Sequence, residues 1–156
     1  MKIVNRKSFN TWMIILIFCL TGCAANEKET PEIVKADIKL PETLASNQEI
    51  IFKVKLTQGN DSVEDADEVT FEIWKANEKE KAVLIEASHD KNGIYKARSS
   101  LEAEGVYFIQ THVTARNMHV MPKQQFAVGN VTEDELKAAE EAGEKEKSAD
   151  MSGKHH

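Results

Sequence analysis

Cysteine, glycine and proline are all scarce in this chain, and positive charge is outweighed. Two cysteines, three prolines and seven glycines occur among 156 residues. Both cysteines, Cys19 and Cys23, lie near the start, so the body of the chain has no disulfide, no thiolate metal site and no cysteine nucleophile. So little glycine and proline excludes a collagenous or low-complexity linker protein. Twenty Lys and Arg stand against 26 Asp and Glu, a formal net charge of −6, which excludes a basic footprint for nucleic acid. The same acidity argues against direct contact with anionic lipid or wall polymers. The chain is too short for a (β/α)8 barrel. It has no phosphate-cradling glycine loop, and Ser99, Ser100 and His89 are not set in a nucleophile elbow, so no enzyme is expected.

Acidic residues are missing altogether from residues 1–22, which carry Lys2, Arg6 and Lys7. Trp12 to Leu20 is an almost unbroken apolar run, about half the length a membrane-spanning helix requires. A short positive stretch followed by such a run reads as a secretory signal over residues 1–22. Leu20-Thr21-Gly22-Cys23 then resembles the bacterial lipoprotein processing box. The resemblance implies cleavage before Cys23 and a diacylglycerol group on its sulfur, completed by further acyl (palmitate-type) chains. The protein is thus expected to be lipid-anchored on the extracytoplasmic face of the bacterial cell membrane. Each buried CH2 of an acyl chain adds about 0.8 kcal/mol, so a multiply acylated cysteine is a stable anchor. Residues 23–31 are polar and read as a tether.

Residues 32–129 alternate with period two. Val34, Ala36, Ile38 and Leu40 alternate with Lys35, Asp37 and Lys39; Ile50, Phe52, Val54 and Leu56 with Ile51, Lys53, Lys55 and Thr57; and Val69, Phe71 and Ile73 with Thr70, Glu72 and Trp74. Further runs cover Ala82–Ser88, Gly93–Ser99, Val106–Ala115, Met118–Met121 and Phe126–Val128. Turn signals separate them, among them Lys91-Asn92-Gly93 and Arg116-Asn117. The fold class expected is all-β, an immunoglobulin-like antiparallel sandwich of about seven strands. Gly105-Val106-Tyr107 has the placement of a tyrosine corner, Tyr95 echoes it weakly, and Trp74 is the candidate for the central core aromatic. Residues 130–156 differ. Thr132-Glu133-Asp134-Glu135 reads as a capping box opening a helix, but Leu136, Ala139 and Ala142 make a thin apolar stripe. A polar tail is expected there, a frayed exposed helix followed by disorder.

Candidate chemistry is concentrated in His112–Met121, which holds two of the five histidines and two of the five methionines. A tight turn at Arg116-Asn117 would pair Ala115 with Met118, Thr114 with His119, Val113 with Val120, and His112 with Met121. Residues directly opposite share a face, so His112, His119 and Met121 would lie together. That face would be the less buried one, because Tyr107, Ile109 and Val113 should point inward. Two imidazoles and a thioether suit copper. Thioether selects Cu(I), and imidazole accepts Cu(I) or Cu(II). Met118 falls on the other face and is a secondary candidate, as is His89, which precedes a turn toward the same end of the sandwich. Met151, His155 and His156 form a weaker metal-scavenging set in the tail.

Phe71-Glu72-Ile73-Trp74, Gly93-Ile94-Tyr95, Gly105-Val106-Tyr107, the run His112 to Pro122 and Phe126-Ala127-Val128-Gly129 together resemble the YtkA-like, FixH-related extracytoplasmic domains. The run from His112 to Pro122 is the most specific of these. The resemblance implies an immunoglobulin-like sandwich, copper handling and respiratory oxidase assembly, with a haem–copper oxidase subunit or another copper carrier as partner. The His-x-Met of His119 and Met121 is also similar to part of the His/Met site of periplasmic copper chaperones, whose wider ligand spacing is not reproduced. The alternative expectation is a metal-free immunoglobulin-like module that docks an envelope or membrane protein.

Overall fold

The alternating segments form strands in a computed structural model, which describes residues 32–152 and their side chains as far as Gly143. The signal segment, Cys23 and the tether lie outside the described residues, as do His155, His156 and the side chain of Met151. The strands are β1 (Val34–Lys39), β2 (Glu49–Gln58), β3 (Asp61–Ser62), β4 (Glu68–Lys75), β5 (Val83–Glu86), β6 (Ser88–His89), β7 (Ile94–Ser100), β8 (Gly105–Ala115), β9 (Met118–Val120) and β10 (Lys123–Val128). Helix α1 (Glu133–Ser152) follows. Among the described residues no helix is long and apolar enough to cross a membrane.

Every pairing is antiparallel. One sheet runs β1-β2-β7-β6, with β3 added to β2. The other runs β10-β8-β4-β5, with β9 added to β8. This is the order of an immunoglobulin-like sandwich, and β9 and β10 together occupy its last strand position. Ala82–Ser88, expected as one strand, is two. β5 pairs with β4, and after Ala87 the chain crosses to the opposite sheet, where β6 pairs with β7.

The inner faces meet in an apolar core. Phe52, Val54, Leu56, Phe71, Ile109 and Val113 are fully buried, and Phe52 packs on Phe71 and Phe126 with ring centroids 6.2 and 6.1 Å apart. Each such side chain stabilises the fold by roughly 1.5–3 kcal/mol. The tyrosine corner is present: the Tyr107 hydroxyl donates to the Ala103 carbonyl at 2.8 Å. Burial, more than any nearby charge, raises the Tyr107 pKa. Tyr95 does something different, accepting the Ala66 amide at 3.0 Å and so pinning a distant loop.

Trp74 is not in the central core. Val69, Phe71 and Ile73 take the inward positions of β4, which leaves Trp74 on the outer face, stacked on Phe108 at 5.7 Å. Helix α1 covers that pair. Ala139 is buried against Trp74, Val106 and Phe108, while the Gln125 side chain donates to the Leu136 carbonyl at 2.9 Å. Lys123 Nζ lies over the Phe108 ring at 4.5 Å, a cation–π contact at the helix margin. The first turns of the tail are therefore docked, not the exposed and frayed helix that its thin stripe suggests. Its start is the expected capping box, with Thr132 Oγ1 accepting the Glu135 amide and Glu135 Oε2 accepting the Thr132 amide.

Candidate metal site

The site begins with a turn. Arg116 and Asn117 both have positive φ, 52° and 61°, the pairing that defines a type I′ hairpin. Asparagine enters that region readily, whereas arginine needs holding. The Arg116 guanidinium donates to Gln58 Oε1 at 2.6 Å and to Asp65 Oδ1 at 3.3 Å, which ties the turn to the opposite sheet.

A two-residue loop fixes the register. Ala115 pairs with Met118, Thr114 with His119 and Val113 with Val120. The β10 ladder resumes with Lys123 opposite Gln110, in unbroken register. His112 therefore stands opposite Met121, and Thr111 opposite Pro122. The Thr111 amide donates to the Pro122 carbonyl at 2.9 Å, and proline has no N–H to return. That missing bond separates β9 from β10.

His112, His119 and Met121 consequently share the outer face of the second sheet. The two imidazoles lie 6.4 Å apart between ring centroids. His112 is half-buried, His119 is exposed, and Met121 is 51% exposed, unusual for a large apolar side chain. The ladder brings the two imidazoles together, and Met121 follows at the register position opposite His112.

Two further side chains hold the rings. His112 Nε2 lies 2.8 Å from Glu72 Oε2, and His119 Nδ1 lies 3.2 Å from Thr114 Oγ1. An ionised carboxylate only accepts hydrogen bonds, so this contact calls for a proton on His112 Nε2 and leaves Nδ1 as the nitrogen not engaged by Glu72. Glu72 escapes sequence reasoning because its relation to His112 is diagonal across β4 and β8, where Thr70 is the residue opposite His112. Its only signal was alternation, which placed it on the polar face of β4.

The secondary candidates do not join this group. Met118 is on the inner face, packed against the core, with its Sδ accepting the Val34 amide at 3.4 Å. Pairing opposite Ala115 forces that orientation. His89 lies on β6, the edge of the other sheet, with its ring 4.9 Å from Tyr95. The sheet switch at Ala87 carries it there. Among the described residues no three His, Cys, Asp or Glu side chains are placed to hold a metal ion.

The family model described as YtkA-like matches residues 28–112, ending at His112 and ahead of the turn. No curated protein matches the chain. Among solved structures, the CARDB domain of a Pyrococcus furiosus protein in complex with di-metal ions is similar. Identity is 16% over 65% of this chain and 90% of that one, with a TM-score of 0.40.

Proposed function

This chain belongs to the YtkA-like family, and we propose that it is a lipid-anchored extracytoplasmic protein that binds copper as cargo. It would pass the ion to a haem–copper oxidase subunit or another copper carrier. The observation that carries this reading is the shared outer face of His112, His119 and Met121, set by a type I′ turn and an unbroken register. His112 Nδ1, His119 Nε2 and the Met121 thioether are the donors such an ion would take. Imidazole with thioether is the ligand chemistry of Cu(I), and it needs no thiol that an oxidising exterior would consume. A half-exposed face with few donors suits exchange, because an acceptor's ligands can reach the ion before the first ones leave. Neither the family nor the sandwich fold is that of a known enzyme class, and the role proposed is binding and transfer, not catalysis.

Titration with Cu(I) under reducing conditions, against a competing chelator, tests the reading. One ion per chain is expected, with His112→Ala and Met121→Ala each weakening binding about tenfold or more. A wild-type protein that binds no better than the doubly substituted one overturns it. Cells lacking the protein should lose oxidase activity and regain it with added copper.

A second reading has one observation in its favour. Edge strand β5 exposes Val83 and Leu84, 56% and 67% accessible, and an apolar edge invites strand addition by a partner. Val83→Lys with Leu84→Lys would then abolish the cellular effect while leaving copper affinity unchanged.

A further inference from the structure

The net charge of −6 conceals a segregated surface. Alternation places Lys35, Lys39, Lys53, Lys55, Lys96 and Arg98 on the outer face of β1, β2 and β7, against only Asp37 and Glu49 from the same strands. The register lines up three of them, with Lys39 opposite Lys53 and Lys53 opposite Lys96. Like charges directly opposed across strands destabilise a sheet, so folding alone does not account for this row. Lys39 pairs with Asp37, and Lys96 with Asp90 at 2.9 Å. Lys53, in the middle, has no ion pair among the described residues. The second sheet and α1 are predominantly of the other sign, with Lys123 and Lys137 among the exceptions. Glu68, Glu72 and Glu86 lie on the second sheet, and Glu133, Asp134, Glu135, Glu140 and Glu141 are on α1.

We propose that the outer face of β1, β2 and β7 is the surface this domain lays against an anionic bilayer, with Lys39, Lys53 and Lys96 meeting lipid phosphates. Charge complementarity is the first argument. The position of the chain entry is the second. β1 is both the first strand and the edge of this sheet. Residues 24–33 are all that separate Cys23 from it, a reach of about 35 Å when fully extended. An anchor at Cys23 therefore leaves the lysine row free to reach the headgroups, where the surface potential acts within roughly a Debye length of 8–10 Å. A shallow groove of about 470 Å³ runs beside the row, with Leu40, Pro41 and Ile51 among its apolar walls and Lys39, Lys53 and one carboxylate, Glu49, among its charged ones. With this face on the membrane, the second sheet with His112, His119 and Met121 points away from the bilayer. The inference rests on the anchoring in the function proposed above and not on copper.

The test is acetylation of lysines, read by mass spectrometry, on the full chain reconstituted in vesicles. One set of vesicles is phosphatidylcholine and the other a three-to-one mixture with phosphatidylglycerol. Lys39, Lys53 and Lys96 should react at least fivefold more slowly on the anionic vesicles, since each lysine near such a surface is worth about that factor. Molar salt should erase the difference, and Lys123 and Lys137 should be unaffected. Reversal by Lys39→Glu, Lys53→Glu and Lys96→Glu should remove the protection of Lys35 and Lys55. Protection that is absent, equal on both vesicle types, or shared by both sheets overturns the proposal. So does protection conferred by a soluble anionic polymer but not by the vesicles. The mass of the N-terminal peptide reports lipid on Cys23 separately. A lipidated chain whose two faces react alike refutes the orientation and leaves the anchor standing.

Discussion

Glu72 and His112 meet diagonally across the β4–β8 ladder, Oε2 to Nε2 at 2.8 Å. The contact engages one imidazole nitrogen, Nε2, and leaves Nδ1 free of Glu72. Carboxylates behind metal-binding histidines commonly contribute 10–100-fold in affinity. Glu72→Ala should therefore weaken Cu(I) binding about tenfold or more. Glu72→Gln, which still accepts from Nε2–H, should cost much less. Nitrogen-detected NMR of the metal-free protein should show the Nε2–H tautomer at His112 in the wild type and a mixture in the alanine variant.

Thr111 is fully buried, and its Oγ1 has no hydrogen-bond partner among the described residues. A desolvated hydroxyl without a partner costs about 1–3 kcal/mol. Thr111→Val keeps the shape and removes that cost. The melting temperature should rise by roughly 5 °C, with copper affinity unchanged.

Accepting the Thr132 backbone amide, and then its hydroxyl, holds the Glu135 carboxyl below the usual glutamate range. A lowered folded-state pKa contributes stability at neutral pH that is lost as pH falls through the folded value. The first turn of α1 should thus loosen in acid, below the range in which an unperturbed glutamate titrates. Amide exchange at Glu133–Glu135 should accelerate there, and Thr132→Ala should flatten that pH dependence.

Ala139 is 5% exposed against Trp74 and Phe108. Ala139→Glu buries a charge on an apolar patch, which is costly without a partner. The helix should undock, shifting Trp74 fluorescence to the red and lowering the helical circular dichroism, while the strand signal persists. Copper affinity should change little, because the donors sit on the sheet.

The shared face of His112, His119 and Met121 was legible because a two-residue turn fixes parity, and parity in a strand decides the face. The tyrosine corner and the capping box were legible for the same reason, being local geometry written in adjacent residues. What was not legible is long-range. Ile73 and Trp74 are neighbours and both buried, since a helix more than fifty residues downstream covers the outer face. His89 looked available to the site until the crossing at Ala87 moved it to the other sheet. Net charge likewise says nothing of which strands stand side by side, and the lysine row exists only in the paired sheet.

Pro122 gives Thr111 a carbonyl and no amide, so the outermost strand is held by one bond fewer beside Met121. β8, which bears His112, is clamped on both flanks. Met121 and His119 therefore ride on the outer arm and His112 on the inner, doubly flanked strand. A cargo ion bound as proposed would leave the outer pair first and His112 last.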